Sequence, residues 1–172
     1  MSLNFVLAQI FGLVAVTLMI TSFQCDDKNK LLKLQIFSCF SYAFQYLCLG
    51  AISGFLMNIV SSIRNAIFKK YDNKKAPLWV LIFLILLITF LSLFGYKGSV
   101  SLLPTVAILT YSFAAWTADI RLMRLMQVLA GTLFFIYDVI SLAIVGAIGN
   151  FILVVSVLIS IYRFDIKGKK HA

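Results

Sequence analysis

The sequence contains no glutamate; its six acidic residues are all aspartates. Its one histidine, His171, stands among lysines near the C-terminus, and its three cysteines, Cys25, Cys39 and Cys48, have none of the spacings that hold a metal. Acid–base or metal-assisted catalysis needs at least two such groups brought together, and the sequence has no H-E-x-x-H, no Cys/His pair and no glycine-rich phosphate loop. No catalytic activity, metal or cofactor is therefore expected. Charge is scarce too: 12% of the 172 residues are charged, against about 25% in an ordinary soluble domain. That leaves too few polar side chains to cover a globule in water.

What the sequence has is apolar residues, 62% of the total. They fall into blocks of about twenty, the length a helix needs to cross roughly 30 Å of hydrocarbon. The blocks run over Asn4–Phe23, Leu31–Leu49, Ile52–Phe68, Pro77–Phe94, Val100–Thr117, Met123–Leu142 and Ile144–Tyr162. Polar and glycine-containing interruptions separate them, and the junctions near Gly50 and Leu142 are short enough to require tight helical hairpins. A β-barrel would alternate polar and apolar residues over about ten positions, and Leu78–Phe94 does not alternate. The spacing predicts an all-α membrane protein of seven transmembrane helices.

Charge orients them. Lys28, Lys30 and Lys33 fall in the first connection, Arg64 to Lys75 around the third, Arg121 and Arg124 in the fifth, and Arg163 to Lys170 in the tail, fourteen of the fifteen Lys and Arg. Only Lys97 falls on the other side. The positive-inside rule then predicts an outer N-terminus and a cytoplasmic C-terminus. The net charge of +9 is read as topogenic, with membrane lipids rather than nucleic acid as the partner. The first block has no basic residue before it and no small-residue cleavage site after it, so it is expected to remain as a helix. The cysteines are expected to be free thiols.

The polar residues hide a repeat. An offset of 92 residues pairs Asp27 with Asp119, Gln35 with Gln127, Gly54 with Gly146 and Asn58 with Asn150, and the motif A-I-x-G-x-x-x-N occurs at Ala51–Asn58 and again at Ala143–Asn150. Each copy holds three helices and one helix lies between them, so both copies enter the membrane in the same direction. The predicted architecture is 3+1+3: residues 1–70 form a three-helix bundle, 71–98 a cytoplasmic connection and linker helix, and 99–172 a second bundle with a basic tail, the bundles parallel about a pseudo-two-fold axis along the membrane normal.

This organisation, with a matched Asn in the third helix of each bundle, resembles the SWEET, PQ-loop and PnuC superfamily of small-solute transporters. More closely, the whole chain looks like the YgjV family of bacterial inner-membrane proteins, through A-Q-x-x-G at Ala8–Gly12, the lysine-rich run ending at Gln35, L-G at Leu49-Gly50, I-R-N at Ile63–Asn65 and L-L-P at Leu102–Pro104. The first resemblance implies that Asn58 and Asn150 reach a central solute pocket. It also implies that a first-helix residue of each bundle acts as a hinge, Pro104 in the second copy and Gly12 in the first. Neither Pro77 nor Pro104 is followed by Gln, so the dipeptide that names the PQ-loop proteins is absent.

The remaining polar side chains complete the expected site. Asn58, Ser61, Ser62 and Asn65 share one face of the third helix, and Gln35, Ser38, Ser41, Tyr42 and Gln45 form a stripe on the second. Such stripes face protein or a water-filled cavity, where they either bind solute or hydrogen-bond helix to helix. Asn58, Asn150, Gln45, Ser62, Asn65, Tyr111, Trp116 and Asp138 are the candidate solute-binding residues. Asp138 is the one acid within a predicted span, close to its outer end, and Arg64 is read as snorkelling to the headgroups. Trp79 reads as an interface anchor. The function expected is a facilitator or exchanger of a small, largely neutral polar solute such as a sugar, nucleoside or vitamin precursor. A receptor or partner subunit is the alternative, and a homo-oligomer is left open.

Overall fold

A computed structural model describes residues 3–48, 52–71, 75–94, 102–140 and 144–167. They form seven α-helices and, among the described residues, no strand: α1 (Leu3–Phe23), α2 (Lys28–Cys48), α3 (Ile52–Lys70), α4 (Leu78–Phe94), α5 (Leu102–Thr117), α6 (Ile120–Ile140) and α7 (Ile144–Ser160). A π-helical segment, Ile161–Lys167, carries α7 onward into what the charge pattern suggests is tail. Helices α2 and α6 begin three residues before the predicted blocks because aspartates cap them. Asp27 Oδ1 accepts from the Lys30 N–H at 2.7 Å and Asp119 Oδ1 from the Arg121 N–H at 2.9 Å. Capping starts a helix at the polar residues, whereas hydropathy alone starts it at the first apolar one.

Among the described residues, three segments are long and apolar enough by themselves to cross a membrane: Asn4–Phe23, Ile120–Tyr137 and Ala147–Ile166. Leu78–Leu93 and Leu102–Thr117 are shorter apolar helices. The other two helices are more polar, α2 through Lys28, Lys30 and Lys33 and α3 through Arg64, Lys69 and Lys70.

In the packing, α2 lies against both α1 and α3, and α6 lies against both α5 and α7. Further contacts join α1 to α7, α3 to α5, and α4 to both α3 and α5. Hydrogen bonds show which helix ends meet. Arg124, at the start of α6, donates to the carbonyl of Cys25 after α1 and to Asp165 after α7. Trp116, at the end of α5, donates to the carbonyl of Ala76 before α4. The basic connections therefore gather at one end of the helix array, called the basic end below.

The core sits at that end. Phe23, Leu31, Leu32, Phe68, Tyr111, Met123 and Val157 form one buried cluster, from the last turns of α1, α3, α5 and α7 and the first turns of α2 and α6. Towards the opposite end, the buried positions described on these helices are small: Ala8, Gly12, Ala43, Ala107, Ala130 and Ala147.

Candidate functional site

A buried polar network lies where α2, α3 and α5 meet. Periodicity carries Gln35, Ser38 and Cys39 to the inner face of α2, where all three are buried. The Gln35 carboxamide and the Tyr111 hydroxyl of α5 approach in two ways, Nε2 to Oη at 2.6 Å and Oη to Oε1 at 2.9 Å. Asn65 of α3 offers its Nδ2 to Gln35 Oε1 at 3.4 Å and to Cys39 Sγ at 4.0 Å. Two further hydroxyls tie helix to helix, Ser38 donating to the Ala15 carbonyl at 2.7 Å and Ser62 to the Ile36 carbonyl at 3.3 Å. Groups this deep need such partners, since each one left unsatisfied costs about 1–3 kcal/mol.

Arg64 belongs to this network, which corrects the snorkelling expected of it. The residue is 4% exposed. Its Nε donates to Asn65 Oδ1 at 3.1 Å, its Nη1 to Ser112 Oγ at 3.0 Å, and its guanidinium lies 5.2 Å from the centre of the Tyr111 ring. Snorkelling requires the inner stem to lie on lipid, whereas Arg64 projects from the helix face that α5 covers, and hydrogen-bond acceptors are already in reach there.

A second buried arginine closes the basic end. Arg124 is fully buried, and its Nη1 donates to Asp165 Oδ1 at 2.8 Å while its Nη2 donates to the Cys25 carbonyl at 2.8 Å and Asp26 Oδ1 at 3.2 Å. Its guanidinium stacks 4.7 Å from the Phe164 ring centre. Close by, the Gln24 carboxamide donates to both the carbonyl and the hydroxyl oxygen of Ser156, each at 2.9 Å, and Ser160 donates to the Phe23 carbonyl. These bonds join α1, α6, α7 and the π-helical segment. Sequence reading missed the clasp, because Arg124 and Asp165 are 41 positions apart in regions that register only as topogenic charge.

At the basic end opens a cleft of about 450 Å³ lined by Asp26, Asp27, Lys28, Ala118, Asp119 and Ile120. The offset of 92 residues converts the first three of these into the last three.

Every helix also turns large apolar side chains outward. Leu13 is 71% exposed, Trp79 68%, Leu93 67% and Leu86 64%, values costly in water and natural in lipid. The family model of the bacterial inner membrane protein Imp-YgjV matches residues 6–167. The chain belongs to this family. It is accordingly a multi-pass inner membrane protein, consistent with its helical structure and apolar exterior. Neither a curated protein nor a solved structure matches it.

On this Imp-YgjV framework the residues singled out by sequence disperse over several places. Asn65 and Tyr111 meet in the buried network with Gln35 and Arg64, and Ser62 lies beside them as a link between α2 and α3. Gln45 is half-buried with its carboxamide against Gly12, so close that a Cβ there would lie 2.5 Å from Nε2. Asn58 and Asn150 are half-buried and neither is free of a partner. Trp116 stands apart at the basic end, its indole N–H on the Ala76 carbonyl at 2.7 Å and the Lys75 ammonium 5.3 Å from its ring centre. Pro104 falls in the first turn of the described α5, where its missing N–H has no intrahelical acceptor to lose. The side chain of Asp138 and the residues Gly50, Ala51, Lys97, Ala143 and His171 lie outside the described part. All three cysteines are free, Cys39 buried and Cys25 and Cys48 half-buried.

Proposed function

We propose that this protein is a transporter, a facilitator or exchanger of a small polar solute of the sugar, nucleoside or vitamin-precursor kind, built as two parallel three-helix bundles joined by α4. In this reading all seven helices cross the membrane with the N-terminus outside, so the basic end is cytoplasmic. The observation that carries it is an exchange relation in the packing. Under the 92-residue offset α1, α2 and α3 map onto α5, α6 and α7, and the α1–α7 contact maps onto the α3–α5 contact. The starts of α2 and α6 agree as well, Lys28 with Ile120.

Two equivalent bundles touching along two equivalent seams can rock about the axis between them, which is the geometry alternating access requires. The large-residue core and the Arg124 clasp hold the bundles together at the basic end, while towards the other the buried positions are small and no such clasp is present among the described residues. That arrangement supports a state closed to the cytoplasm. Asn58 and Asn150, equivalent and half-buried, stand above the closed end and offer carboxamides that both donate and accept.

The test is uptake into liposomes over a panel of such solutes, comparing the wild-type chain with the Asn58→Ala, Asn150→Ala double variant. A solute taken up by the wild type and at least tenfold more slowly by the variant supports the site. Unimpaired uptake by the variant removes these residues from it.

A further inference from the structure

Arg64 and Arg124 are both buried, but they are compensated differently. Arg124 meets two carboxylates and a carbonyl. Arg64 meets none of the carboxylates of Asp26, Asp27, Asp119 and Asp165, the acids whose side chains are described, and of the five N–H donors of its guanidinium only two meet an acceptor among the described residues, both neutral. Dipoles of neutral groups offset a buried charge poorly. The residues converging on it carry donors that an anion could recruit: the Asn65 and Gln35 carboxamides and the Tyr111 hydroxyl now donate to one another, the Ser112 hydroxyl donates to the Ile108 carbonyl at 2.7 Å and would exchange that bond for the anion, and Arg itself forks onto planar oxyanions. The site is six residues, about 9 Å of helix, inside the last residue of α3. It lies at the end where the basic segments gather, whose field concentrates anions.

We propose that Arg64, with Asn65, Ser112 and Tyr111, binds the carboxylate or phosphate of the transported solute, so that the solute is an organic oxyanion rather than a neutral molecule. The inference rests on the transporter reading for the word transported, and on the Arg64 environment alone for the binding. The neutral solute expected from the sequence followed from the paired carboxamides of Asn58 and Asn150; a buried guanidinium that no described carboxylate meets adds a requirement that those residues do not express.

The experiment measures thermal stability of the full-length protein in neutral detergent at matched ionic strength, with pyruvate, inorganic phosphate or glucose at about 10 mM. The expected result is a rise of roughly 3–6 °C with pyruvate or phosphate and none with glucose. Arg64→Gln abolishes the rise and Arg64→Lys, which keeps the charge, retains part of it. Should Arg64→Gln not fold, Ser112→Ala serves in its place and reduces the rise. The proposal is overturned if neither oxyanion stabilises the wild type, if Arg64→Gln responds undiminished, or if stabilisation comes only from phosphatidylglycerol, which makes Arg64 a headgroup site. Because the readout is equilibrium binding, oxyanion binding without liposome uptake defeats the transport reading alone. Uptake of a neutral solute without oxyanion binding defeats this inference alone.

Discussion

The two seams of the molecule, α3 against α5 and α7 against α1, occupy equivalent places in the repeat and are filled with opposite chemistry. Where the first seam has Arg64, Asn65 and Tyr111, the offset of 92 residues puts Ser156, Val157 and Met19 in the second. The polar seam buries a guanidinium among neutral dipoles. Its counterpart buries Val157 completely and is held at its basic end by backbone-directed hydrogen bonds from Gln24 and Ser160, with Arg124 adding an ion-paired clasp. The difference teaches that positions paired by the 92-residue offset hold different buried side chains in comparable seams, one suited to cohesion and the other holding a charge that the described residues do not neutralise.

Replacing each arginine by methionine, similar in length and apolar, is the strongest way to break this comparison. Arg124→Met strands Asp165, which is largely buried, and is expected to cost about 3–5 kcal/mol. In thermal unfolding this reads as a fall of roughly 6–20 °C. Arg64→Met strands no described carboxylate but takes the donor from buried Asn65 Oδ1, and is expected to cost about 1–3 kcal/mol, less than Arg124→Met. Equal losses in the two variants would show that both arginines serve the same structural purpose.

The glycines sharpen the contrast at smaller scale. A Cβ at Gly131 of α6 meets Val154 Cγ2 at 2.7 Å, and a stiff β-branched side chain between packed helices cannot easily withdraw. Gly131→Ala is expected to destabilise by about 1–3 kcal/mol. At Gly12 the obstructing atoms belong to the end of the Gln45 side chain, which can rotate away, so Gly12→Ala should cost distinctly less. Parallel melting curves for the two variants check the order.

The smallest effect concerns the connections. Four residues, Gln24 to Asp27, join α1 to α2, whereas Ala118 and Asp119 alone join α5 to α6. The shorter turn forces Ala118 to a φ of 63°, in the left-handed region that favours glycine. Ala118→Gly is expected to gain up to about 1 kcal/mol, read as a small rise in melting temperature. Asp26, the equivalent residue in the longer connection, carries no such strain among the described residues, and Asp26→Gly should give no gain.

Much of this was legible beforehand. Helix number, approximate boundaries and the gathering of basic segments follow from hydropathy and charge, because lipid imposes a length on each apolar block and basic residues cluster in the connections on one side. The polar stripes on α2 and α3 correctly indicated inward faces, and Asn65 and Tyr111 do meet. Sequence could not decide whether Arg64 reaches out to headgroups or in towards Ser112, since that depends on which face α5 covers. Nor could it join Arg124 to Asp165 and Asp26, or set Gln45 on Gly12. Pairings between distant segments are decided by how helices pack, and a one-dimensional pattern gives the face of each helix without the partner that covers it.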